Sequence, residues 1–255
     1  MNLIDSHAHI YTRDFADDLP AMLDRAKQAG VHKIVMPAID STTHEAMLAV
    51  EKAYPGFCIS MMGLHPCSAN DAVEAELAVV EQYLSRQKFV GVGEIGLDFY
   101  WDLTFQEQQY IAFRRQIELA IRHNLPIAIH SRNSTDECIQ VVREYKNSSL
   151  KGVFHCFSGS VEQAKQIIEL GFFLGVGGVL TFKNAGLDKI ISAVSTDHII
   201  LETDAPYLAP APFRGKRNEC SYLSLIAQKL AELHQTSVAD IATTTSANAQ
   251  KLFGL

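Results

Sequence analysis

The feature that most constrains this chain is an alternation of strand-like and helix-like segments that runs from end to end. Short apolar runs fall at 3–5, 33–37, 57–62, 89–94, 126–130, 152–155, 172–176 and 199–203. Amphipathic helical patterns separate them at 19–29, 42–53, 75–85, 106–123, 135–146, 160–170 and 187–193, and two further patterns, 222–233 and 238–252, end the chain. A helix between consecutive strands forces a crossover, so the strands pair in parallel. Eight such units are the number that closes a (β/α)8 barrel, which uses about 250 residues as one unit. The expected fold is therefore α/β, a single-domain (β/α)8 TIM barrel over residues 1–255. A doubly wound open sheet is the rival. It is weakened because no Gly-x-Gly-x-x-Gly opens a helix after the first strand.

No linker, repeat or low-complexity tract divides the sequence. The glycines Gly171, Gly175, Gly177 and Gly178 around the seventh strand read as points of close backbone approach rather than a phosphate loop. One long turn-rich stretch, 205–220, follows the eighth strand, which in a barrel sets it over the active face. No apolar run approaches the ~20 residues that span a bilayer. The first residues carry no basic segment and apolar core of a secretory signal, so a cytoplasmic location and no membrane partner are expected. Five scattered cysteines without a Cys-x-x-Cys pair point to reduced, buried thiols. A net charge of −7 disfavours non-specific coating of nucleic acid, yet bound cations and local arginines can still create a phosphate site. The oligomeric state is left open, with a monomer plausible.

The chemistry collects at strand ends. The opening phrase Asp5-Ser6-His7-Ala8-His9 places two imidazoles at i and i+2, on one side of a strand. The fourth strand ends in Glu94, the fifth in His130, the sixth in His155, and the eighth leads into Asp204. Taken singly, each is more often a satisfied rim residue. Together they converge on the face where barrel enzymes keep their sites, and a divalent cation removes the cost of crowding them there. Nitrogen and carboxylate donors without thiolate suit Mg²⁺, Mn²⁺, Zn²⁺ or Fe²⁺. Six donors exceed the needs of one open site, so two divalent metal ions sharing Glu94 are expected, with His7, His9 and Asp204 on one and His130 and His155 on the other.

These residues carry a family resemblance. Asp5-Ser6-His7-Ala8-His9, Gly93-Glu94-Ile95-Gly96-Leu97-Asp98, Ile129-His130-Ser131-Arg132, Phe154-His155-Cys156-Phe157-Ser158-Gly159 and Leu201-Glu202-Thr203-Asp204-Ala205-Pro206-Tyr207-Leu208 resemble the successive signatures of the TatD family. The resemblance spans essentially the whole chain. It implies a barrel of the metal-dependent hydrolase type, two divalent ions, and phosphodiester hydrolysis at DNA ends, with the same six ligands. Two positions depart from the family pattern: Tyr11 where Asp or Asn is usual, and Cys220 where proline is common.

The resulting expectation is a TatD-like deoxyribonuclease that cleaves at DNA 3′ ends, with single-stranded DNA or 3′ ends as substrate. A hydroxide bridging the ions would attack phosphorus in line, with Asp204 as general base. His65, Arg132 and Arg214 are candidate phosphate contacts, and Lys216 and Arg217 lie on the same loops. Asp5 and Glu202 are candidate partners that orient imidazoles from behind. Phe99-Tyr100-Trp101, after the fourth strand, could stack an unpaired base or simply pack the loop. Two rivals remain. One keeps the metals but attacks an amide, lactone or aminoacyl ester. The other is a non-catalytic binding protein that a metal merely stabilises.

Overall fold

In the computed structural model, which describes residues 2–255, the strands form one parallel ring. β1 (Leu3–Asp5), β2 (Val31–Met36) and β3 (Cys58–Ser60) make one arc. β4 (Val92–Asp98), β5 (Ile127–Arg132), β6 (Gly152–Phe154), β7 (Phe173–Val176) and β8 (Ile199–Leu201) make the other. Single bridges join the arcs, Met62 with Val92 and Ala8 with Ala205, and complete the order β1 to β8 of a (β/α)8 barrel.

The helices are α1 (Leu19–Gln28), α2 (His44–Ala53), α3 (Val73–Arg86), α4 (Gln106–His123), α5 (Thr135–Glu144), α6 (Val161–Glu169), α7 (Leu187–Ile191), α8 (Leu223–His234) and α9 (Val238–Phe253). Their boundaries follow local chemistry. Ser160 and Gln163 form a reciprocal capping box at the start of α6, and Ser237 accepts from the Asp240 N–H at the start of α9. Asn124 ends α4 in a left-handed conformation with φ 53°, which Asn tolerates better than most side chains.

Two apolar layers hold the barrel together. Ile4, Val35, Met61, Ala128, Val153 and Ile200 form an inner cluster, and Ala249, Leu252 and Phe253 of α9 pack on it. A larger cluster fills the space between strands and helices, including Ile34, Met36, Ile95, Leu97, Phe113, Ile117, Phe154 and Leu174. Truncating one such side chain to alanine costs about 2–5 kcal/mol. Among the described residues no helix is long and apolar enough to cross a membrane.

The fourth strand differs from its expected course. It begins at Val92 and runs to Asp98, with a register shift between Val92 and Ile95, so Glu94 lies inside the strand rather than at its end. The first strand stops at Asp5, and His7 and His9 sit in the segment beyond it. His155 and Asp204 likewise follow β6 and β8, and only Glu94 and His130 lie within strands. All five cysteines are free; Cys58, Cys138 and Cys220 are buried as expected, whereas Cys156 is half-buried and Cys67 exposed.

Candidate metal centre

Glu94 is the hub. Its Oε2 lies 3.1 Å from His7 Nε2 and 3.2 Å from His9 Nε2. Its Oε1 lies 2.8 Å from His130 Nδ1, 2.8 Å from His155 Nε2 and 3.3 Å from His65 Nε2. Asp204 Oδ1 stands 3.9 Å from His7 Nε2 and 3.8 Å from His9 Nε2. The six residues proposed from strand ends thus meet in one place, and His65 joins them. Three overlapping groups have donor atoms within 4.8 Å of one another: His7, His155 and Asp204; His7, His9 and Glu94; His65, Glu94 and His130.

Hydrogen bonding leaves part of this cluster unpaired, the buried Nδ1 of His7 having no partner among the described residues. Tyr11 donates its hydroxyl proton to the Pro37 carbonyl at 2.6 Å, so at the 3.0 Å contact with His9 Nδ1 it must accept. His9 therefore carries its proton on Nδ1, and a bare Nε2 lone pair faces the Glu94 carboxylate. The same Nε2 stands 3.3 Å from His7 Nε2. Two ring nitrogens and a carboxylate oxygen thus crowd into one buried triangle, where a cation could lie among them. The donor set is nitrogen and carboxylate oxygen, as harder divalent ions and zinc prefer. These residues fit a metal centre.

Burial and neighbouring charge shift the titration of these groups. Burial lowers the pKa of His7, and the His155 ring stacked on it at 3.8 Å between centroids adds to the effect, holding His7 well below the usual range. Burial alone would raise Glu94, but the surrounding imidazoles outweigh it and keep the carboxyl well down. Burial lifts Asp204 to about 7, opposed in part by His155 and His9. Divalent charge would draw both carboxyls to the ionised form.

A second ring of side chains aims these donors. His130 places its Nε2 2.8 Å from Asp98 Oδ2, so carboxylates flank both ring nitrogens. Asp98 is buried, which raises its pKa, yet His130 and the N–H groups of Trp101 and Tyr100 hold it below the usual range. Asp98 was missed by the strand-end reading, although it closes the Gly-Leu-Asp of its own signature. Glu202 stands behind His155, 3.3 Å from Nδ1, and accepts from the Cys156 N–H. Gly175 makes this approach possible, because a Cβ there would strike the Glu202 carboxylate and lie 2.9 Å from His155 Cα. Asp5 does not reach an imidazole as expected. It accepts from Thr203 Oγ1 at 2.6 Å, Thr203 N at 2.9 Å and His7 N at 3.4 Å, tying β1 to the segment after β8. Burial raises its pKa to about 7. Cys220 is buried beside Asp5, and both effects push its thiol well up.

The cluster floors a cavity of about 1190 Å³ whose walls include His65, Trp101, Arg132, Tyr207, Arg214 and Lys216. The long loop after β8 covers it as expected, pinned by buried Asn218, which donates to Thr203 O at 2.7 Å and Tyr207 O at 2.6 Å. Arg132 and Arg214 face the cavity, with Arg214 4.5 Å over the Phe182 ring. Arg217 does not face it. Its guanidinium grips Asp18 at 2.6 and 2.8 Å, because Asp18 is the carboxylate within reach beneath the loop.

Comparison with known proteins agrees with this architecture. A family model described as "TatD related DNase" matches residues 4–254. YabD of Bacillus subtilis, named an uncharacterized metal-dependent hydrolase, is 38% identical over 98% of this chain and 98% of its own. A protein of Erwinia tasmaniensis named "3'-5' ssDNA/RNA exonuclease TatD" is 29% identical over 99% of this chain and all of its own. The crystal structure of YjjV from Escherichia coli superposes with a TM-score of 0.94 at 33% identity, covering 99% of this chain and 98% of that one.

Proposed function

The chain belongs to the TatD family of metal-dependent hydrolases, and from that premise we propose a two-metal phosphodiesterase that removes nucleotides from the 3′ ends of single-stranded DNA. The observation that carries this reading is Glu94, whose two oxygens face two separate sets of imidazoles, His7 and His9 on one side and His130 and His155 on the other. Such a carboxylate would serve two divalent ions, and Asp204 would complete the first set. Mg²⁺, Mn²⁺ and Zn²⁺ all suit these donors. A bound ion pair supplies Lewis acidity at the phosphoryl oxygens and at the attacking water.

The chain's own groups supply the rest. Asp204 is the proton acceptor for the water, since its carboxyl edges the cluster and opens to the cavity. Arg132 and Arg214, which both line the cavity, present guanidinium groups that suit phosphate oxygens. His65 lies at the rim beside Glu94 and can donate to a phosphate oxygen or join the second metal set. Asp98 and Glu202 back the rings of His130 and His155, and Tyr11 fixes the tautomer of His9.

The test is release of mononucleotides from 3′-end-labelled single-stranded DNA by protein reconstituted with Mg²⁺, Mn²⁺ or Zn²⁺. Release that stops with chelator and is abolished in Glu94→Ala is the expected result. No release with any of the three metals would sink the reading. A panel of carboxylic esters, lactones and amides on the same sample separates it from carbonyl hydrolysis by the same centre.

A further inference from the structure

We propose that Trp101, backed by Tyr100 and Arg132, is a stacking site for an unpaired nucleobase of a single strand whose phosphate enters the metal centre, an inference that rests on the nucleic-acid reading above. Trp101 is the chain's only tryptophan, and at 68% exposure it is the most exposed large apolar side chain among the described residues. Tyr100 beside it is 52% exposed. A large indole left in water forfeits burial that a folded chain normally gains, so its position asks for an occupant.

The ring is not on a loose loop. Asp98 Oδ1 accepts the backbone N–H of Tyr100 at 2.9 Å and of Trp101 at 3.0 Å. The other oxygen of that carboxylate holds His130. One buried group therefore sets the aromatic turn at a fixed place relative to the metal donors. Gln109 reinforces it, accepting from Asp98 N at 2.8 Å and donating to Asp98 O at 3.1 Å.

The surroundings select the occupant. Arg132 lays its guanidinium 3.8 Å from the Tyr100 ring centroid and 5.2 Å from that of Trp101. One face of the tyrosine is thus taken, and a cation stands beside the aromatics. Trp101 and Tyr100 meet at 86°, so the indole is not stacked flat on its neighbour. Trp101, Arg132, His130 and Glu94 line one cavity. A flat aromatic face, a cation and a candidate metal-binding carboxylate in one cavity suit a base and its adjoining phosphate. Stacking of this kind tolerates any base, because every base has a π face.

Because Trp101 is unique, its fluorescence reports the site directly. The metal-loaded protein is titrated with a deoxyadenosine trimer joined by phosphorothioate linkages, and with a trimer of abasic units joined in the same way. The expected result is indole quenching by the base-bearing trimer, with about tenfold tighter binding than the abasic one. In hydrolysis of single-stranded DNA, Trp101→Ala is expected to raise KM about tenfold with little change in kcat, and Trp101→Phe to retain most of the affinity. Equal affinity for the two trimers, or substrate saturation with no change in indole emission, overturns the stacking site. Absence of chelator-sensitive release from every strand overturns the nuclease reading instead, whatever the fluorescence does.

Discussion

The hydroxyl of Tyr11 stands 3.0 Å from Nδ1 of His9 while giving its proton to the Pro37 carbonyl, and this fixes which nitrogen of the imidazole is free. The residue that departs from the family pattern thereby orients a candidate metal donor. Tyr11→Phe should weaken metal binding about 10–100-fold, the usual effect of losing a partner behind a ligand. Calorimetric titration with Mn²⁺ checks this; unchanged affinity would remove the role assigned to Tyr11.

Asp98 holds His130 with one oxygen and the Tyr100–Trp101 turn with the other. Asp98→Asn should therefore cost about 10–100-fold in activity and also alter the emission of Trp101 in the free protein. A loss of activity with an unchanged emission spectrum would show that the two attachments act separately.

Chelation should lower the melting temperature. The buried carboxylates and imidazoles around Glu94 lose their compensating charge when metal leaves. Returning Mg²⁺, Mn²⁺ or Zn²⁺ should raise Tm with metal concentration, a hundredfold excess over Kd adding about 2.7 kcal/mol of stability. A Tm indifferent to metal would contradict occupancy of the folded state.

The loop over the cavity is tied to α1 by an ion network in which Arg217 and Arg25 both reach Asp18 and Glu219. Hydrogen bonding from Arg217, reinforced by Arg25 against a smaller burial effect, lowers the Asp18 pKa from 3.8 to about 2. A depressed carboxyl stabilises the fold above its unfolded pKa, and that contribution disappears as pH falls through the folded value. Asp18→Asn should thus lower Tm at pH 7 by about 2–4 °C, the shift that 1 kcal/mol produces in a chain of this size. The gap to the unsubstituted protein should narrow between pH 4 and pH 2. Melting curves across that window decide it.

Gly175→Ala should destabilise by about 1–3 kcal/mol, because the added methyl collides with the Glu202 carboxylate and the His155 backbone. Activity should fall with it as His155 is displaced. A neutral substitution would mean that β7 yields more readily than its packing suggests.

Much of this was legible in the order of residues. The strand–helix period named the barrel, and the donors at His7, His9, Glu94, His130, His155 and Asp204 were visible as polar ends of apolar runs. The parts that were not legible depend on distance in space. Asp98 lies four residues beyond Glu94 within one strand, and only the register shift after Val92 shows that both reach His130. Alternation placed Asp5 with the imidazoles, but β1 ends there and its carboxylate meets Thr203 instead. Arg217 is indistinguishable from Arg214 in a basic loop. The Asp18 carboxylate, 199 positions away, draws it from the cavity.

The donors come from both arcs of the barrel: His7, His9 and His65 from the three-strand side, Glu94, His130, His155 and Asp204 from the five-strand side. Cations gripped between them would act as rivets across the two junctions, where each arc meets the other through one isolated bridge. Loading the centre and seating the halves of the barrel against one another then become a single equilibrium.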